Sequence, residues 1–581
     1  MSFIDPKLEG DAANAHNPTD LTSETTDQTP TYKTYLCDPT SLYYDEYFCE
    51  NDDRTNLRLR RLQDTTILPM KIFNGLENLI TLDLSSIGLT ELKSDIFYGL
   101  SKLTQLSLCH NKLVALPNGI FNELHSLEEL DLYGNKLTSL QSDIFRSLTN
   151  LTKLDISYNK LVILPNTIFD KLRSLKELML PCNELTSLDI DIFRGLTNLL
   201  KLDISFNELS SLPNTIFNDS RLLQELNLRK IGLTSLESNI FSGFSCLSKL
   251  DISDNKLSSL PKAIFNGLQS LEELMLQKNK LTSLDSDIFS GLSKLSTLVI
   301  SENNLSSLPK TIFNGMESLE RLYLESNQLT SLETDIFNGL PKLVHVNLCD
   351  NKLILPNPIF KETKNLQSLI LSSNKLESLT ADFFNGMSQF QMLLLADNQL
   401  SFLPKTIFHG LVNLDRVALS SNKLKSLDAE TFTGLSQVKH LFIDNNELST
   451  LPDTIFHDTK SLELLSLDSN KLKILTPDIF NGLSCLRMLH INNNELVSLP
   501  KTIFNELKFL TSLSLHSNKL QSLEADIFIG LSGLQSLSIS NNELSTLPSK
   551  IFSDINSLTE LSLESNKLKI LPLDAFDDQT N

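Results

Sequence analysis

The stretch LTQLSLCHNKLVALPNGIFNEL, residues 103–124, decides the fold. Leu103, Leu106 and Leu108 lead to Asn111; Leu113, Leu116, Phe121 and Leu124 follow. The alternation Leu106-x-Leu108 is that of a strand with one buried face, whereas the spacing of Phe121-x-x-Leu124 suits a short helical turn. One such segment therefore reads as strand, turn and return.

The same pattern recurs along most of the chain. Asn111, Asn135, Asn159, Asn183 and Asn207 stand 24 residues apart, the series resumes from Asn255 to Asn351, and it restarts one residue early at Asn374 to run on to Asn566. Ile87 and Ile231 fill two slots where Asn is expected. There are 21 full units, and Pro117, Pro165 and their successors occur in every second one, which points to an ancestral duplication unit of 48 residues. A fixed period of this length marks a solenoid, because one unit cannot bury its Leu face alone and stacked copies supply the core. The expected fold is an α/β solenoid: a horseshoe with a concave parallel β-sheet and short helical or irregular convex segments. The Leu residues are then packing, the Asn ladder satisfies backbone groups of adjacent coils, and the Phe residues from Phe73 to Phe576 form a stacked spine. The boundaries read as a disordered segment over 1–31, an N-terminal cap and degenerate first coil over 32–67, the solenoid over 68–576 and a tail over 577–581.

Composition narrows the function. The 581 residues are 40% hydrophobic and 7% aromatic, with no Trp. Lys plus Arg number 50 against 71 Asp plus Glu, a formal charge of −21 that argues against nucleic acid or anionic lipid as partner. Charge interrupts every Leu-rich segment, so no membrane span is expected. No phosphate-binding glycine loop, zinc-binding H-E-x-x-H, G-x-S-x-G or C-x-x-C occurs. The reading is therefore non-enzymatic, with no catalytic residue, cofactor or metal.

The motif L-P-x-x-I-F-x-x-L-x-x-L-x-x-L-x-L-x-x-N-x-L, repeated from about Leu68 to Phe576, resembles the typical 24-residue class of extracellular leucine-rich repeat proteins, which includes Toll-like receptor ectodomains and variable lymphocyte receptors. That resemblance implies a horseshoe binding proteins or other extracellular ligands, in cell-surface recognition, adhesion or innate immune sensing. It also implies Cys-rich caps, and Cys37 and Cys49 are the pair that fits one at the N-terminus. Met1–Lys33 hold no legible secretory leader, so a cytoplasmic scaffold for protein–protein interaction stands as the alternative to an extracellular or cell-surface module.

Binding residues are sought among side chains that the alternation points out of the sheet. In the first half, Glu129, Lys153, Glu177, Lys201, Glu225, Lys249 and Glu273 alternate in sign and read as an ion-pair ladder. In the middle the residue between the second and third Leu is apolar in seven of eight successive units, among them Met275, Val299, Tyr323, Ile370, Leu394 and Phe442. The column two residues earlier adds Arg321, Met392, Arg416 and His440. A contiguous apolar strip with a polar border reads as the contact surface for a protein or other macromolecular ligand, or for a second copy in a homodimer.

Overall fold

A computed structural model describes residues 47–49, 55–59, 66–69 and 72–576. The expected disorder of 1–31, Cys37, most of the expected cap and the tail over 577–581 lie outside the described residues. Within them, 23 strands form one sheet. β1 (Tyr47–Cys49) pairs antiparallel with β2 (Asn56–Leu59), and β2 pairs parallel with β3 (Thr81–Asp83). From β3 to β23 (Glu560–Ser562) each strand has three residues and pairs in parallel with the next.

Each strand is short because only its middle residue belongs to the core. In Gln105–Ser107, Leu106 is buried while its neighbours face solvent. The chain then turns through a residue with positive φ, such as His110 at 54°, directly before Asn111. That residue is non-glycine in nearly every coil, and the buried amide after it holds the turn. Asn135 Nδ2 donates to Leu108 O at 3.0 Å and Leu132 O at 3.1 Å, while its Oδ1 accepts from Leu113 N at 3.1 Å. One side chain thus closes its own turn and stitches it to the preceding coil, as the sequence implies. Removing the amide strands buried backbone groups at about 1–3 kcal/mol each.

The convex side departs from one half of the expectation. Among the described residues there is no helix; the return consists of successive i to i+3 turns, such as Leu124 N to Phe121 O and Leu127 N to Leu124 O, both 3.1 Å. An α-helix needs a costly nucleus before it gains a bond per residue, and a 24-residue coil leaves too little chain for one. The Phe side chains point inward and stack, with Phe97 and Phe145 each 6.3 Å from Phe121. The coil between Asn351 and Asn374 lacks one residue, yet β14 (His345–Asn347) and β15 (Ser368–Ile370) stay in register. The deficit falls on the return, where Leu355 is only partly buried.

Candidate functional site

The middle of the concave sheet gathers the predicted binding residues into two parallel columns. Register places Met275 beside Val299 and Val299 beside Tyr323. Beyond Asn347, Ile370 lies beside Leu394, Leu394 beside Ala418, and Ala418 beside Phe442. These side chains are half-buried, held upright by neighbours about 4.8 Å away on either side. The second column runs from Arg321 through His345 and Ser368 to Met392, Arg416 and His440. The basic groups therefore border the apolar column along one side and do not encircle it.

Burial leaves several polar atoms here without partners. Arg416 Nε, His440 Nδ1, His345 Nε2 and Glu325 Oε2 are shielded from solvent and have no hydrogen-bond partner. Desolvation, reinforced by the Arg321 charge, pushes His345 down to about 4. Its ring lies 4.9 Å from that of Tyr323. Burial raises the Glu325 carboxyl to about 7, although its own amide and the Ser301 hydroxyl favour the charged form. His440 is lowered by burial and then by Arg416, with Asp415 opposing.

Glu325 and His345 escape the sequence reading of the site. Glu325 follows the third Leu of its unit, a position read only as turn. Its signal is the carboxylate itself, where neighbouring units carry Ser301 and Cys349.

The charged columns of the first half behave differently. Lys153–Glu177 at 3.5 Å, Lys201–Glu225 at 2.8 Å and Lys249–Glu273 at 3.0 Å form ion pairs. The expected ladder is thus a set of separate pairs, each Lys reaching forward to the following coil. The outward Asp residues are tied locally: Asp131 accepts from Tyr133 N at 2.9 Å and Asp155 from Ser157 N at 2.8 Å. Among the described residues no group of three or more His, Cys, Asp or Glu is placed to hold a metal, and no helix is long and apolar enough to cross a membrane. Cys109, Cys182, Cys246, Cys349 and Cys485 are free thiols.

The family model described as "Leucine rich repeat" matches in overlapping windows over residues 55–233 and 364–578, and that of the "BspA type Leucine rich repeat region" matches six copies over 234–367. The chain belongs to the leucine-rich repeat family. No curated protein sequence matches this leucine-rich repeat protein. Among solved structures it is similar to a leucine-rich repeat protein of Leptospira interrogans, at 31% identity and a TM-score of 0.57, over 70% of this chain and 94% of that one. It is similar also to the Arabidopsis receptor kinase HAESA, solved in complex with the peptide hormone IDA and a co-receptor, at 27% identity and a TM-score of 0.60, over 85% and 83% of the two chains. The Drosophila Toll receptor, solved in complex with Spätzle, shares the fold at 22% identity and a TM-score of 0.64, over 88% and 81%.

Proposed function

We propose that this leucine-rich repeat protein is a non-enzymatic recognition module that binds an extended protein or peptide segment along the centre of its concave face. One observation carries the reading: an apolar column, broken only at Asn347, stands half-buried on the sheet and is bordered by shielded polar atoms that have no hydrogen-bond partner. Apolar surface covered by a ligand gains the usual burial energy. Arg416, His440, His345 and Glu325, each with a shielded atom that has no hydrogen-bond partner, gain bonds by turning toward a ligand that brings donors and acceptors, as a peptide backbone does. The similarity to HAESA in its peptide-hormone complex supports the same class of ligand. A formal charge of −21 disfavours a polyanion in its place.

The proposal extends to an extracellular setting, with cell-surface recognition, adhesion or innate immune sensing as the uses such a module serves. Asn150, Asn218 and Asn304 sit in glycosylation sequons and are all exposed. Material secreted behind a supplied leader should carry glycans at one or more of them and remain folded; misfolding of secreted material with folding in the cytosol favours the intracellular scaffold instead.

The test is a displayed peptide library selected on the immobilised wild-type chain and counter-selected on a Tyr323→Ala, Phe442→Ala double variant. Enrichment of peptides that bind the wild type alone supports the site. Equal binding of every enriched peptide to both proteins overturns it, and recovery of the chain as a stable dimer that loses binding on dissociation transfers the strip to self-association.

A further inference from the structure

The ascending edge of the first third, where the chain leaves each strand and turns, carries aromatic side chains that the fold does not use. His110 lies edge-on to Tyr133 at 4.8 Å, Tyr133 is 4.9 Å from Tyr158, and Tyr158 and Cys182 lie close enough that each shifts the other's proton affinity. Two coils beyond Tyr158 comes Phe206. Tyr158 and Phe206 occupy the left-handed turn position at φ 53°, a conformation that bulky L-residues adopt only at a cost in backbone strain. Burial does not offset that cost, since the two side chains remain 49% and 37% exposed.

The ribbon runs beside the outward Asp column. Carboxylates act on two of its acids: after desolvation, Asp131 and Asp83 help to raise Cys109 to about 11, and Asp155 and Asp131 help to raise Tyr133, whereas Tyr158 is raised first by Cys182. Lys153 reaches forward to Glu177, although its charge still acts on Asp155. At Phe206 the protein answers the same chemistry itself: Arg229 and Lys230 lie over the ring at 5.4 and 5.3 Å from its centroid. The ribbon therefore contains one ring already covered by cations, and a Tyr133–Tyr158 pair whose carboxylate neighbours lie at Tyr133 and whose exposed member is Tyr158.

We propose that this edge is a second binding surface, distinct from the central strip, which takes a Lys- or Arg-bearing peptide segment with its cationic groups over Tyr133 and Tyr158 and directed toward Asp131 and Asp155. Ring quadrupole and carboxylate both favour a cation, and Arg adds a flat face that stacks on the ring. The pairing predicts weakening by salt, since the surface is open to solvent.

The test uses a fluorescein-labelled peptide of alternating Arg and Gly, with alternating Glu and Gly as control, read by anisotropy on the full chain. A Tyr133→Leu, Tyr158→Leu variant keeps the net charge and removes the quadrupoles. It should bind the Arg peptide at least tenfold more weakly than wild type, whereas Tyr323→Ala, Phe442→Ala should bind it unchanged. Equal binding by wild type and the leucine variant reduces the interaction to bulk charge and overturns the site. If the leucine variant fails to fold, nitration of the wild type decides: the Arg peptide should protect Tyr133 and Tyr158 while exposed Tyr98 reacts as before, and identical nitration at all three overturns the proposal.

Discussion

The coils around Asp155 and those around Tyr323 share one backbone and differ in what they show to solvent. In both, a buried Leu centres a three-residue strand and a buried Asn closes the next turn. Around Asp155 the outward groups are satisfied by the protein itself, through Asx turns and Lys–Glu pairs. Around Tyr323 they are apolar, or polar with a shielded atom that has no hydrogen-bond partner, as at Glu325 and His345. Since the scaffold is the same, the core and the character of the outward face are written in separate columns of the repeat and can be changed separately.

The sharpest separation should come from two adjacent residues of one strand. Leu322 is fully buried, and Leu322→Ala should cost about 2–5 kcal/mol. Tyr323→Ala should cost under about 1 kcal/mol, the worth of a cross-strand contact. Urea unfolding with hydrogen exchange of the coil measures both, and equal losses would collapse the distinction between core and face. Next in size, Tyr323→Ala with Phe442→Ala should weaken any peptide selected on the strip by more than about 2 kcal/mol, while Asp155→Ala leaves it nearly unchanged. Titration calorimetry tests the contrast, which fails if the Asp variant loses as much.

Protonation gives a third comparison. Glu325 moves from 4.5 to about 7 on folding, so between these values the folded chain keeps a proton that the unfolded chain has released, and stability falls as pH rises. His345 moves from 6.5 to about 4, so stability rises with pH across that window. The slopes oppose each other from about 4.5 to 6.5, and only the Glu325 loss remains from 6.5 to about 7. Glu325→Gln should therefore abolish that fall and leave the central coils more stable above pH 7 by an amount on the order of 2 kcal/mol. Unfolding midpoints at pH 5.5 and 8 measure it; an unchanged pH profile removes Glu325 as the source. The smallest effect belongs to the charged wall, where a double-mutant cycle on Lys201 and Glu225 should return about 0.2–1 kcal/mol and fade with salt.

The solenoid is legible in the sequence because a 24-residue period and a two-residue alternation leave one way to bury every Leu. The same alternation places Tyr323, Ile370, Leu394 and Phe442 on one face, so the strip is legible as well. Its polar partners are less so. The burial of His345 and Glu325 comes from side chains one coil away, and no single unit reveals it. The aromatic edge is hidden for another reason: Tyr133 follows the third Leu while Tyr158 and Phe206 stand one place later, and only the left-handed turn brings the two positions onto a common rim. The convex helix fails because a spacing of three or four residues fits repeated i to i+3 turns as well as a helix.

The coil that is one residue short carries a lesson about how such a protein changes over generations. Its strands remain aligned and the missing residue is absorbed on the outer side, so the repeat tolerates length errors there without shifting the inner surface. Whole coils can then be gained or lost by unequal recombination with the Leu core still continuous. Each one moves the acidic, aromatic edge and the central strip apart or together by about 4.8 Å. For the two surfaces proposed above, that spacing would be a heritable ruler with a fixed tick, and a ligand long enough to span both would be selected in multiples of it.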